Sequence, residues 1–386
     1  MNRVYFDYSA STPVDISVLE QVLRYFREDF GNPSSVHSFG RETRIAIDTA
    51  REQVAHVLNA SPSEIVFTSG GTESDNLAIV GVAKTFSGPR HLITSAIEHP
   101  AVLNTCKALE QKGWQITYIN PDLHGRIEAG VVEKEIRPDT SLISIMHVNN
   151  ETGVINPISE IAELAASRGI PFHTDAVQSF GKLAIDIQQT PVTLLSFSGH
   201  KIYGPKGCGG LYVRAGTKLS PMLYGGHQER DRRAGTENTA AIVGLGYAAE
   251  LAQKSIERDR AHLSNLSEYF WGKLKSVWPI VELNGHRSER LTGVLNLSFM
   301  ILDSVALATR LDVAGIAVST GAACSSGSPE PSKALETMGL PRERSTTALR
   351  ISFGRPTTTT EIDQAIEVFR KIYSTAPASR KTPVAA

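Results

Sequence analysis

Between about residues 65 and 213, short apolar or β-branched runs recur at 64–68, 91–94, 116–118, 142–145, 170–173 and 194–197. Unbroken runs of this length are those of strands buried on both faces. Helical patterns lie between them, as at 74–83 and 158–167, so the segment predicts strand–helix–strand crossovers and an α/β fold. Such crossovers build a mainly parallel sheet, with ligands gathered outside the carboxyl ends of the strands. A long amphipathic stretch at about 236–276 leads to a C-terminal third with strand-like pieces at 293–299, 317–319 and 348–353 and a last helix over 360–373. This part reads as a smaller α+β domain. The end, 374–386, is rich in Pro, Ala, Ser and Lys and reads as a disordered tail.

Composition narrows the function classes. A chain of 386 residues, 41% hydrophobic and 20% charged, holds one large domain and a smaller one. Lys and Arg total 39 against 40 Asp and Glu, so no net field selects nucleic acid or an anionic membrane, and a small ligand is expected. Cys106, Cys208 and Cys324 are too few for a disulfide framework, and no C-x-x-C pair marks a metal site. With no leader-like segment at the start and no run of some 18 apolar residues, a cytoplasmic location is the expectation.

Candidate chemistry collects at strand ends. Ser198-Gly199-His200-Lys201 follows a buried run, which presents Lys201 on a tight turn where a desolvated, neutral amine could form an imine with an aldehyde. Another run ends in His173-Thr174-Asp175-Ala176-Val177-Gln178, placing a carboxylate and an amide at the same sheet edge. A carboxylate there can keep a pyridine nitrogen protonated while an amide bonds a ring oxygen. Thr68-Ser69-Gly70-Gly71-Thr72 is a strand, a glycine turn and a helix start, with N–H groups and a hydroxyl for a phosphate. Taken singly, each has a plainer reading: a solvated lysine, a turn aspartate, a capped helix. No Walker motif competes, because Gly181-Lys182 is followed by Leu183.

Together these segments resemble the fold-type I pyridoxal-phosphate enzymes, and among them the cysteine desulfurases related to NifS and IscS. The resemblance runs through F-D-Y-S-A-S-T-P at 6–13, G-N-P-S-S-V-H at 31–37, T-S-G-G-T-E-S-D-N at 68–76, E-H-P-A-V at 98–102, N-N-E-T-G at 149–153, H-T-D-A-V-Q, S-G-H-K, and R-A-G-T-E-N at 233–238. It implies a seven-stranded, mainly parallel sheet in a large domain at 14–257, and a small domain from 1–13 and 258–375. It also implies pyridoxal 5'-phosphate carried by Lys201, with Asp175 at the ring nitrogen, Gln178 at the ring oxygen and His99 stacked on the ring. Gly71, Thr72, Ser198 and His200 would hold the phosphate. Thr236 would reach the phosphate of a second subunit, hence a homodimer. Of the relatives' usual pattern, His227 departs, standing where glycine is common.

Residues 319–331 surround Cys324 with small and turn-forming residues, leaving nothing to bury the thiol. The segment resembles the longer, flexible cysteine loop of the NifS/IscS branch, which is followed by E-P-S, here Glu330-Pro331-Ser332. By resemblance Cys324 takes sulfur from L-cysteine as a persulfide, and His99 assists proton transfers. Arg350, in an alternating strand, matches the arginine for the substrate carboxylate, and Asn150 an asparagine close to cofactor and substrate. L-Alanine is the co-product. The sulfur would pass to an acceptor protein, as in iron–sulfur cluster assembly or thio-modification. A selenocysteine lyase or other pyridoxal-phosphate β-lyase shares every cofactor residue, and a non-catalytic sulfur-transfer partner is a further alternative.

Overall fold

Buried strands with crossover helices give the architecture its main layer. The computed structural model describes residues 3–320 and 331–375. Strand β1 (Val4–Tyr5) opens the chain, and the strands that follow are β2 (Ile65–Thr68), β3 (His91–Ser95), β4 (Gln115–Ile119), β5 (Thr140–Ser144), β6 (Phe172–Asp175), β7 (Leu194–Ser198) and β8 (Gly209–Val213). The last seven form one sheet in the order β2-β8-β7-β6-β5-β3-β4. Only β8 runs antiparallel to its neighbours. Strands β4, β3, β5, β6 and β7 pair in parallel, as the alternating pattern predicts. The carboxyl ends of β2, β3, β5, β6 and β7 therefore share one edge, where ligands of such sheets bind.

A second core lies around β9 (Glu282–Asn284), β10 (Val294–Ser298) and β12 (Ala348–Ser352), antiparallel in the order β12-β10-β9. Phe270, Trp278, Phe299 and Phe369 fill it with edge-on and stacked ring contacts. Strand β11 (Ile316–Ala317) pairs with β1. Neither β1 nor β9 stands out in the sequence, because two- and three-residue strands carry no periodicity. The last helix, Thr359–Thr375, fits the reading of 360–373.

The helix Thr239–Val277 belongs to both cores. Its 39 residues span about 58 Å at the usual rise. Ala240, Leu245, Ala248 and Ala252 are buried with the large sheet, whereas Leu266, Phe270 and Leu274 are buried with the second one. The N-terminal residues also run between the two. Val4 and Phe6 lie in the second core, while Thr12 donates from its amide and its hydroxyl to the carbonyl of His200 at 2.9 and 3.0 Å.

Candidate active site

Lys201 sits just past β7, in a 3-10 turn over Gly199–Lys201. Its Nζ donates to the carbonyls of Ser9 at 2.6 Å and Ala10 at 2.8 Å. Among the described residues no carboxylate lies within ion-pair distance of it. Burial, with Arg350 nearby, pulls the amine down to about 8, so a neutral fraction is available near neutrality. Gln178 donates from Nε2 to the same Ser9 carbonyl at 3.0 Å, which places the amide and the amine side by side.

Asp175 ends β6, 5% exposed, and its Oδ1 accepts from the amide of Val177 at 2.9 Å. Donor atoms of Asp175, His99 and Asp75 all lie within 4.8 Å of one another. His99 caps the helix Pro100–Glu110: its Nδ1 accepts from the amide of Ala101 at 3.1 Å. With Nδ1 accepting, the proton of the neutral ring belongs on Nε2. Burial holds the imidazole below its ordinary value.

Asp75 is a buried acid with no Lys or Arg within ion-pair distance among the described residues. Its Oδ1 has no hydrogen-bond partner. The ring of His173, 3.6 Å away, is engaged by the hydroxyls of Ser144 and Ser196 and is held neutral by burial, down to about 3. Burial, then the neighbouring Asp175, pushes the Asp75 carboxyl well up. Glu98 stands in the same region: its Oε1 accepts from the Met146 amide and the Ser95 hydroxyl, its Oε2 is unpartnered, and burial pushes it up to about 8. Two carboxyls this close in a buried setting cannot both ionise cheaply, so a cation at Asp175 would relieve the arrangement.

Beside them is a cavity of about 380 Å³ lined by Gly71, Thr72, Ser198, His200 and Lys206, among others. The helix Gly71–Ala83 begins here, and its first-turn N–H groups have no intrahelical acceptors. Close backbone approach sets the turn's position: a Cβ on Gly209 would lie 2.7 Å from the Cα of Gly70. These residues fit a group with a protonated ring nitrogen, an aldehyde and an anionic tail.

Arg350 projects from β12 and is 5% exposed. Its Nη1 donates to the carbonyl of Asn150 at 2.7 Å and its Nη2 to Oδ1 of Asp7 at 2.7 Å. Buried Nε has no partner, which leaves an N–H for an incoming anion. The structure thus brings Lys201, Asp175, Gln178 and His99 together at one edge, gathers Gly71, Thr72, Ser198 and His200 around the cavity, and carries Arg350 and Asn150 to the second core's side. Exposed Thr236 does not line the cavity of its own subunit. Cys324 lies outside the described residues. The exposed His227 pairs with Asp231 at 2.5 Å, beside Glu229, Arg230 and Asp231, whose φ values of 46°, 56° and 63° are left-handed.

Sequence reasoning missed Asp7, the carbonyl of Ser9, Asp75, Glu98 and Glu151. Each lies within a quoted motif, so the signal was position in a motif rather than residue type.

The aminotransferase class-V family matches over residues 4–365. A cysteine desulfurase IscS of Dictyoglomus turgidum is 46% identical over 371 residues, covering 96% of this chain and 94% of that protein. One from Methanosarcina thermophila is 47% identical, covering 96% and 91%. Among solved structures, a NifS-like protein superposes with a TM-score of 0.91 at 37% identity, covering 96% of this chain and 99% of that one. SspA in complex with cysteine gives 0.83 at 41% identity, covering 92% and 100%.

Proposed function

This chain belongs to the aminotransferase class-V family and is one of its cysteine desulfurases, and we propose that it converts L-cysteine to L-alanine with bound pyridoxal 5'-phosphate, passing the sulfur to Cys324. The observation that carries this reading is the half-buried amine of Lys201, unpaired with any described carboxylate and sharing the Ser9 carbonyl with Gln178. When bound, the cofactor supplies an electron sink for charge developing at the substrate Cα.

The chain's own groups do the rest. Asp175 would hold a proton on the ring nitrogen, and the neighbouring Asp75 carboxyl, pushed up by burial, would keep negative charge from building up beyond one carboxylate. Gly71, Thr72, Ser198 and His200 would hold the phosphate, as their place around the cavity supports. As a neutral amine Lys201 would take the Cα proton, which its lowered basicity allows near neutrality. His99, its Nδ1 held by the Ala101 amide, would present its Nε2–H as a hydrogen-bond donor beside the groups that exchange protons. Arg350, steadied by Asp7 and by the Asn150 carbonyl, receives the substrate carboxylate at its open N–H. The Cys324 thiolate attacks the substrate sulfur; the S–Cβ pair stays with the substrate carbon, which becomes alanine after protonation.

Several finer features belong to the same proposal. The division at 14–257 against 1–13 and 258–375 is supported by the two cores. Homodimerisation is supported by the exposed Phe26, Phe30, Val36, Phe39 and Ile45 near the two N-terminal helices, and it would bring Thr236 to the partner's phosphate cavity. An acceptor protein of iron–sulfur assembly or thio-modification would take the sulfur in the cytoplasm. No described helix is long and apolar enough to cross a membrane.

Labelled L-cysteine followed by mass spectrometry tests the reading. An added sulfur on the Cys324 peptide, with alanine formed in step, is expected, and Cys324→Ser should keep the bound cofactor's absorbance while losing alanine. Alanine at the wild-type rate from Cys324→Ser would sink the covalent role.

A further inference from the structure

Two motifs from opposite ends of the sequence, N-N-E-T-G and E-P-S, meet in the folded chain. The hydroxyl of Ser332, 3% exposed, donates to Oε2 of Glu151 at 2.6 Å. The same oxygen accepts the Leu335 amide at 3.2 Å as N-cap of the helix Lys333–Thr337, so its donor and an acceptor site are both used. Glu151 itself is fixed from behind. Oδ1 of Asn149 accepts from the amides of Glu151 and Thr152 at 3.0 and 2.9 Å, and the carbonyl of Glu151 accepts from Nδ2 of Asn296 at 3.1 Å.

The neighbour of Glu151 in this turn is Asn150, whose carbonyl holds the guanidinium of Arg350. Arg350 in turn exchanges both backbone hydrogen bonds with Ser319, at 3.1 and 2.8 Å. Ser319 precedes Cys324 by five residues and Ser332 follows it by eight. Both flanks of the thiol-bearing segment are thus tied to one small cluster, Arg350 with the 149–151 turn, which is also where the substrate carboxylate is to be held. Ser319 and Ser332 are 13 positions apart in the sequence, and anchoring both limits the volume open to any group carried between them, which raises its effective concentration near the anchors.

We infer that Glu151 is a positioning residue for sulfur transfer: through Ser332 it fastens the far end of the Cys324 segment to the turn that steadies the substrate-carboxylate arginine. The inference rests on the reading that Cys324 receives the sulfur. The Glu151 carboxyl is engaged by Ser332, so its effect falls on the transfer step rather than on cysteine binding.

Holoenzyme variants mixed with L-cysteine separate these steps: the absorbance change on mixing reports binding, and mass spectrometry of the quenched Cys324 peptide reports transfer. Glu151→Ala removes the acceptor, whereas Ser332→Asp keeps a helix cap but removes the donated hydrogen bond. In both, cysteine binding stays within about twofold of wild type and the transfer rate at saturating cysteine falls at least about tenfold. Glu151→Gln keeps an acceptor oxygen and stays within about threefold of wild type. The double variant is no slower than the slower single one, because a shared contact is lost only once. A wild-type transfer rate in Ser332→Asp, losses that multiply in the double variant, or an equal weakening of cysteine binding overturns the inference. If Glu151→Ala does not fold, Ser332→Asp decides alone. A wild-type protein that gains no sulfur on Cys324 overturns the desulfurase mechanism instead, and the inference with it.

Discussion

At the level of single residues, the chemistry depends on charges that burial forbids. Lys201 has carbonyls for neighbours where a surface lysine would have water, and Lys201→Ala should bind pyridoxal phosphate without the visible band of the lysine-bound form, which an absorbance scan reads directly. Glu98 gives a sign that can be worked out in the cofactor-free protein. Its folded carboxyl is pushed up to about 8 from an ordinary 4.5, so the folded state keeps a proton that the unfolded chain has released. That contribution is full below about 4.5 and is lost as pH rises towards about 8. Glu98→Gln imitates the protonated acid, so melting curves between pH 5 and 8 should fall less steeply with pH in the variant than in wild type; parallel curves would show that Glu98 is ionised throughout. Lys201, Asp175 and Arg350 were legible in the sequence because each ends or interrupts an apolar run. Asp7 was not, since its role lies in a hydrogen bond to a residue 343 positions away.

Among the elements, β8 shows how a strand can escape the hydrophobic pattern. It begins Gly209-Gly210, and both glycines are required by space: a Cβ at Gly209 would lie 2.5 Å from the carbonyl oxygen of Phe197, and one at Gly210 would lie 2.4 Å from the Phe197 ring. Because the Gly209 contact is with backbone that cannot swing aside, Gly209→Ala should displace the Gly70 turn and weaken pyridoxal phosphate binding by at least about tenfold, measured by fluorescence titration of the apoprotein. The segment leading towards Thr236 is held differently. Glu229 accepts from both terminal nitrogens of Arg51 at 2.7 Å and from the Phe67 amide at 2.9 Å, all buried, while its own φ is left-handed. Glu229→Ala leaves Arg51 as an uncompensated buried charge, and urea denaturation should show a loss of about 3–5 kcal/mol. Nothing in the local sequence announces this pair, whose members are 178 residues apart.

For the molecule as a whole, two apolar cores share the helix Thr239–Val277, so neither can lose its packing without disturbing the other. The α/β alternation made the larger layer readable from sequence; the sharing did not show, because amphipathic periodicity does not reveal which partner each turn of a helix meets. The exposed aromatic patch supports a prediction at this scale. Phe30→Glu combined with Phe39→Glu should sediment as a monomer and, deprived of the second subunit's Thr236, hold pyridoxal phosphate less tightly; an unchanged dimer would place the interface elsewhere. The thread from Val4 to Thr12 has a consequence in the cell. Since the Ser9 carbonyl grips Lys201 and Asp7 grips Arg350, the pocket cannot close until residues 343 positions apart have met. Chains that stop short of Arg350 should therefore never shut this pocket around vitamin B6, so its capture would report the meeting of distant segments rather than growth of the large sheet.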